Sequence, residues 1–237
     1  MEINTLLELL FKKKYSIDTV NNVVFGSGSI NKTEIAIIGT TNEAYIGIEM
    51  AYSFVDILID IIEHKPKIPI LLLVDTLGQK LSHYDELLGL NVYLGHLAKT
   101  IELARLHGHK IISVVRNQAV SGGILSTNML ADSCFAIKGS NIGVMNLPSM
   151  ARITRIPLQK LEKLSESSPL FDTNVENYYQ MGAINAIWDS EKDMSTLLLA
   201  ALDETNSDDR KDKGFKRKGR MKTKHIVSSI NVALTEK

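Results

Sequence analysis

The stretch from Lys110 to Ala131 constrains the chain most. Lys110-Ile111-Ile112-Ser113-Val114-Val115 is a β-type apolar run, Ser121-Gly122-Gly123 is a sharp turn, and Ser126-Thr127-Asn128-Met129-Leu130-Ala131 continues a helix. A strand that turns through glycines into a helix leaves backbone N–H groups without intrahelical partners. These donors sit at the positive end of the helix dipole and favour negative charge. The absent Cβ atoms let another molecule approach the backbone.

The flanking pattern predicts an α/β fold. Ile70-Leu71-Leu72-Leu73-Val74 reads as a parallel strand covered on both faces and ends in the glycine turn Leu77-Gly78-Gln79. Helical periodicity covers Gly47 to Ile62 and roughly Asp85 to Leu106, and further helices are expected over Leu158 to Ser165, Thr173 to Met181 and Lys192 to Asp203. Cys134 to Ile137 and Asn141 to Met145 read as strands. Repeated strand–helix alternation argues for parallel strands with helical crossovers. Near the start, Gly26-Ser27-Gly28-Ser29 reads as a hairpin-like turn between Val23–Phe25 and Glu34–Gly39.

The expected organisation is one domain over 1–204, opened by an amphipathic docking helix within 1–16, and a basic flexible tail over 205–237 that ends in a helix at Ile226 to Leu234. The first helix and last segment suggest a protein that expects a partner. The stretch from Arg210 to Lys224 holds a third of the basic residues, a composition that suits either a solvated linker or a landing site for phosphate. Across the chain 27 basic and 27 acidic residues cancel, so net charge points to no nucleic acid. No apolar run approaches the ~20 residues of a membrane span. A single cysteine, Cys134, is read as an inert core residue and suits a cytoplasmic setting.

Nucleophilic and metal chemistry find little support. Gln118-Ala119-Val120-Ser121-Gly122-Gly123 resembles the nucleophile segment of Clp-type serine peptidases, but Asn146 stands where their histidine would fall and cannot take the serine proton. The six histidines form no ligand-spaced pair, and His107-Gly108-His109 reads as a helix end facing water. Asp75 at a strand end is either catalytic or a turn residue. What remains is a pair of glycine turns, Gly78-Gln79 and Ser121-Gly122-Gly123, whose N–H groups suit an oxyanion.

The same residues carry a resemblance. Asp75-Thr76-Leu77-Gly78-Gln79, Asp85 to Asn91, His96-Leu97-Ala98-Lys99, Leu103 to His109, Val120-Ser121-Gly122-Gly123, Val144-Met145, Ala151-Arg152-Ile153-Thr154 and Asn177-Tyr178 before Gly182 are similar, in order, to the gamma subunits of biotin-independent malonate decarboxylase. That family lies in the crotonase superfamily. The resemblance implies a crotonase/Clp-like spiral of ββα units forming one carboxyltransferase-type half. It further implies decarboxylation of malonyl-S-acyl carrier protein to acetyl-S-acyl carrier protein and CO2, through an oxyanion-stabilised enolate, at a site shared with a beta subunit.

Carried over residue by residue, Gly122, Gly123, Gly78 and Gln79 would supply the donors. Ser121, Val144, Met145 and Arg152 would meet the substrate. No cofactor or metal is expected in this chain; a phosphoribosyl-dephospho-CoA thioester would arrive on the acyl carrier protein, and an acyl-carrier transferase subunit would complete the assembly. Other acyl-CoA carboxyltransferase or decarboxylase subunits, and a catalytically silent structural subunit, stay open as alternatives.

Overall fold

The computed structural model describes residues 1–168, 171–204, 208–219, 221, 223, 226, 229 and 230. The chain opens with α1 (Ile3–Phe11), then β1 (Tyr15–Val20), β2 (Val23–Ile30), β3 (Thr33–Thr40) and β4 (Tyr45–Ile46). Next come α2 (Ile48–His64), β5 (Ile70–Thr76), β6 (Gly78–Gln79), α3 (His83–Leu87), α4 (Leu90–Leu106), β7 (Ile111–Val120) and α5 (Ser121–Ser126). A 3-10 turn (Asn128–Leu130) leads to β8 (Ser133–Ile137), β9 (Asn141–Gly143), α6 (Leu147–Thr154), α7 (Leu158–Ser165), α8 (Val175–Gln180), β10 (Ala186–Trp188), α9 (Met194–Asp203) and α10 (Arg210–Lys216).

The main sheet runs β1-β2-β3-β5-β7-β8-β10. Its first three strands are antiparallel, and from β3 onward pairing is parallel. β7 serves two neighbours: its first half pairs with β8, and its last residues, Gln118 to Val120, pair with β9. A second sheet of only β4 and β6 aligns Tyr45 with Gly78 and Ile46 with Gln79.

One core lies between the main sheet and α2 and α4, built on Phe54, Leu58, Ile70, Leu72, Leu97 and Ile101. The other covers the opposite sheet face, where Leu6, Leu7, Leu10 and Phe11 of α1 meet Leu71, Leu73, Val114 and Leu198. Burial on both faces explains why β5 is a continuous apolar run.

Several expectations are corrected. The first helix docks on its own sheet, so it is no sign of an external partner. Gly26 to Ser29 lie inside β2 rather than in a turn. The reversals fall at Asn21-Asn22 and Asn31-Lys32, whose positive φ values suit a tight hairpin. Gly26 is needed because a Cβ there would meet the Ser16 carbonyl oxygen at 2.1 Å.

The single helix expected from Asp85 is two, α3 and α4, separated by Gly89 at φ 82°. His109 is buried with Nδ1 on the Ile68 carbonyl at 2.8 Å, not facing water. Cys134 is buried as expected, and desolvation pushes its thiol up to about 12.

Part of the segment expected to be a solvated basic tail is α10, packed on the domain. Its Gly214 backbone approaches Gly182 so closely that a Cβ on Gly182 would meet the Gly214 nitrogen at 2.5 Å. Arg217 lies 3.7 Å over the Tyr179 ring and donates to the carbonyls of Tyr179, Ile184 and Asn185. These bonds satisfy carbonyls at and beyond the end of α8. Arg220, Lys222, Lys224 and most of the expected terminal helix at Ile226 to Leu234 lie outside the described residues. No helix among the described residues is long and apolar enough to cross a membrane, and no group of ligands for a metal ion occurs among them.

Candidate active site

The two glycine turns meet at the carboxyl edge of the main sheet. Thr76 ends β5 and locks the first turn: its hydroxyl donates to the Ala44 carbonyl at 2.6 Å and accepts the Gly78 N–H at 3.0 Å. Gly78 has φ 102°, and a Cβ there would sit 2.8 Å from both the Val120 carbonyl oxygen and the Ser121 Cβ. The first turn is therefore seated directly against the second. Ser121, which opens α5, has φ 57°, a left-handed backbone that is costly for a residue with a Cβ.

That strained turn aims two donors at one point. The Ser121 hydroxyl and the Gly122 N–H each donate to Gln79 Oε1 at 2.9 Å. A Cβ on Gly122 would stand 2.7 Å from the same oxygen, so a larger residue there would push the Gln79 carboxamide off the turn. Gln79 is thus an acceptor seated on the turn, not a backbone donor beside it. Gly78 and Gly123 are buried behind the turn; the Gly78 N–H is held by Thr76 and does not face the site.

Two cavities open on either side of Ser121. One, of about 670 Å³, is lined by Gln79, Ser121, Met145 and Arg152, together with Tyr45 and Ile153. The other, of about 630 Å³, is lined by Ser121, Gly122, Val144 and Tyr178, together with Arg210 and Lys211 from the α10 segment. Six of the eight candidate residues therefore border one cavity or the other.

Arg152 is exposed and free of carboxylates among the described residues, with only the Ser149 hydroxyl at 3.4 Å. Asn146 caps α6 by accepting the Ser149 N–H at 2.9 Å, which explains an asparagine where a peptidase would need a base. Asp75 is structural: its carboxylate is buried against Arg116 and takes the Gln118 and Glu43 N–H groups at 3.3 Å.

Asp85 anchors the loop after Gln79. It accepts from the Ile48 N–H at the start of α2 at 3.0 Å, from the Ser82 hydroxyl, and from Lys80 Nζ at 3.3 Å. The Ser82 bond first, then the Ile48 bond, hold its carboxyl below the usual range against the opposing effect of burial. A depressed folded-state pKa contributes stability that is full above the unfolded value of 3.8 and lost as pH falls through the lower folded value. The wild-type chain should therefore lose stability on acidification below that point. Asp85→Asn should lower stability at neutral pH and flatten that acid limb; an unchanged limb in thermal melts from pH 5 to 2.5 would rule this out.

Sequence reasoning found the turns but missed Thr76, Tyr178 and the α10 wall. Tyr178 stood beside Gly182 in the resembling segments with nothing in its spacing to mark it. The α10 wall was hidden in a composition that reads as solvated.

A family model described as malonate decarboxylase gamma subunit matches residues 41–233. A malonyl-S-ACP:biotin-protein carboxyltransferase of Malonomonas rubra is 31% identical over 141 residues, 58% of this chain and 48% of that protein. The chain thus spans about half the length of that relative. Among solved structures, a chain of a Pseudomonas malonate decarboxylase hetero-tetramer in complex with coenzyme A aligns with TM-score 0.78 at 16% identity, covering 95% of this chain and 97% of that one. A chain of the Pseudomonas MdcD-MdcE hetero-dimer aligns with TM-score 0.76 at 17% identity, covering 97% and 98%. The transcarboxylase 12S core aligns with TM-score 0.69 at 17% identity over 84% of this chain and 39% of that chain. The fold is of the carboxyltransferase/crotonase type.

Proposed function

The chain belongs to the malonate decarboxylase gamma subunit family, and from that premise we propose that it decarboxylates malonyl thioester on an acyl carrier protein, in a site completed by a beta-type subunit. The observation that carries this reading is the convergence of the Ser121 hydroxyl and the Gly122 N–H on one oxygen, each at 2.9 Å. Donors at 2.7–3.1 Å suit a developing oxyanion, and here a carboxamide oxygen stands in for the thioester oxygen. Loss of CO2 leaves an enolate whose charge falls on that oxygen, so a catalyst needs donors there more than a nucleophile. When the thioester binds, Gln79 withdraws and its carboxamide N–H₂ becomes a further donor to the seat. Arg152 on the cavity wall meets the substrate carboxylate and releases it as charge leaves. The thioester's carrier arm, a phosphoribosyl-dephospho-CoA group supplied by the acyl carrier protein, enters past Val144.

Exposed apolar residues around the mouths, Leu81 at 77%, Val144 at 77% and Ile153 at 64%, support a partner subunit over this edge. An MdcD-type beta subunit fits that role, with the acyl carrier protein and its transferase as further members of the complex.

One observation favours a second reading, a silent structural subunit: Gln79 already fills the seat. Ser121→Ala separates the two. With the beta-type partner present, the active reading predicts CO2 release from malonyl-carrier reduced about 10²–10³-fold, the usual effect of losing one oxyanion donor. An assembled pair with unchanged turnover would leave only the silent role. The chain alone should release no CO2; activity without the partner would remove the shared site.

A further inference from the structure

An enolate must finally take a proton on carbon, and the donors at the seat serve its oxygen. Among the described residues lining the cavity beside Gly122, the titratable groups are Tyr178, Asp208, Arg210 and Lys211. Asp208 is held ionised, chiefly by its bond to Arg210, and has no proton to give. Arg210 is fixed by Asp208 and by the Met129 carbonyl at 2.8 Å. Lys211 is exposed and reaches the cavity from α10. Tyr178 is partly buried and lines the cavity with Gly143, which ends β9 beside the turn, and with Val144.

We propose that the Tyr178 hydroxyl is the acid that protonates the α-carbon of the enolate; this rests on the thioester-decarboxylase reading above. The step balances without a co-reactant. The bond between the α-carbon and the carboxylate breaks, CO2 leaves, and the electron pair is held as the enolate. The α-carbon then forms a C–H bond with the Tyr178 proton, the O–H bond breaks, and the tyrosinate is reprotonated by water from the cavity mouth.

Two features of the surroundings fit this role. Burial first, and the nearby Asp172 charge second, raise the phenol above its ordinary value, so it is fully protonated when the enolate forms. The Val144 backbone, which lines the same cavity, acts in the opposite direction and favours the tyrosinate after transfer.

The test is Tyr178→Phe in the complex with the beta-type partner, a change that removes one oxygen and keeps the packed ring. Stereospecifically labelled malonyl-carrier is decarboxylated in deuterated water and the configuration of the product methyl group is read. The wild type should give one configuration; Tyr178→Phe should lower kcat about 10²-fold, within the usual range for a positioned acid, and give a racemised methyl. Retention of a single configuration with kcat within twofold of wild type would overturn the proposal. So would a Lys211→Met variant that loses stereospecificity while Tyr178→Phe keeps it. If the wild-type complex releases no CO2 at all, the decarboxylase reading itself fails, and that result is distinct from either.

Discussion

Gly78→Ala is expected to lose at least 10²-fold in turnover of malonyl-carrier by the assembled pair and to lower thermal stability as well. At φ 102° an alanine is strained by about 1–3 kcal/mol whatever surrounds it. The surroundings add to this, because the new Cβ would lie 2.8 Å from the Val120 carbonyl oxygen. That oxygen is backbone and cannot rotate aside, so the β7–α5 turn must move. Ser121 and Gly122 move with it, and displacements near 1 Å at a reacting centre cost about 10²-fold.

Gly95 in α4 provides the control. Nothing lies within 4 Å of a Cβ there, and alanine in a helix should be neutral or stabilise by about 0.5–1 kcal/mol. Steady-state rates and melting temperatures for both variants decide the matter. A Gly78→Ala pair with near-normal kcat would show that the first turn does not position the second.

The second large effect concerns Arg116. Its guanidinium, 6% exposed, pairs with the buried Asp75 carboxylate and also reaches Thr41 Oγ1 at 3.3 Å and the Met1 carbonyl. Asp75 belongs to β5 and Arg116 to β7, so the pair ties together the two strands whose ends carry the glycine turns. Truncation by Arg116→Ala leaves Asp75 buried without its counter-charge, at a cost of about 3–5 kcal/mol. The double variant Asp75→Asn with Arg116→Met should lose less than Arg116→Ala alone. No charge is then stranded, and the asparagine oxygen still accepts the Gln118 N–H, while the Glu43 N–H, held by the carboxylate's other oxygen, loses its partner. Denaturant midpoints of the three proteins test this. A cost under about 1 kcal/mol for Arg116→Ala would mean that water reaches the site and the pair is not a buried one.

Much of this protein was legible before any fold was known. The apolar run of β5, the periodicity of α2, the Ser-Gly-Gly turn and the buried setting of Cys134 follow from local rules, because side-chain period and backbone freedom are properties of neighbouring residues. The same local rules misplaced the first hairpins. Gly26 to Ser29 look like a turn only until β1, a short and largely exposed strand in which only Tyr15 and Ile17 pack on the core, lies alongside them.

What the tertiary structure alone decided are the contacts made across the chain. Gln79 reaches Gly122 over 43 positions, Asp75 meets Arg116 over 41, and Arg217 reaches carbonyls at and beyond the end of α8 over more than 30. The polarity of Gln79 within the site, as an acceptor on the turn rather than a donor beside it, depends on where the parallel pairing of β5 and β7 brings two loops together. Local periodicity carries no information about that register. The proposed acid, Tyr178, lies further still: it enters the site only because α8 and β9 pack against each other beside the turn, which no spacing in the chain expresses.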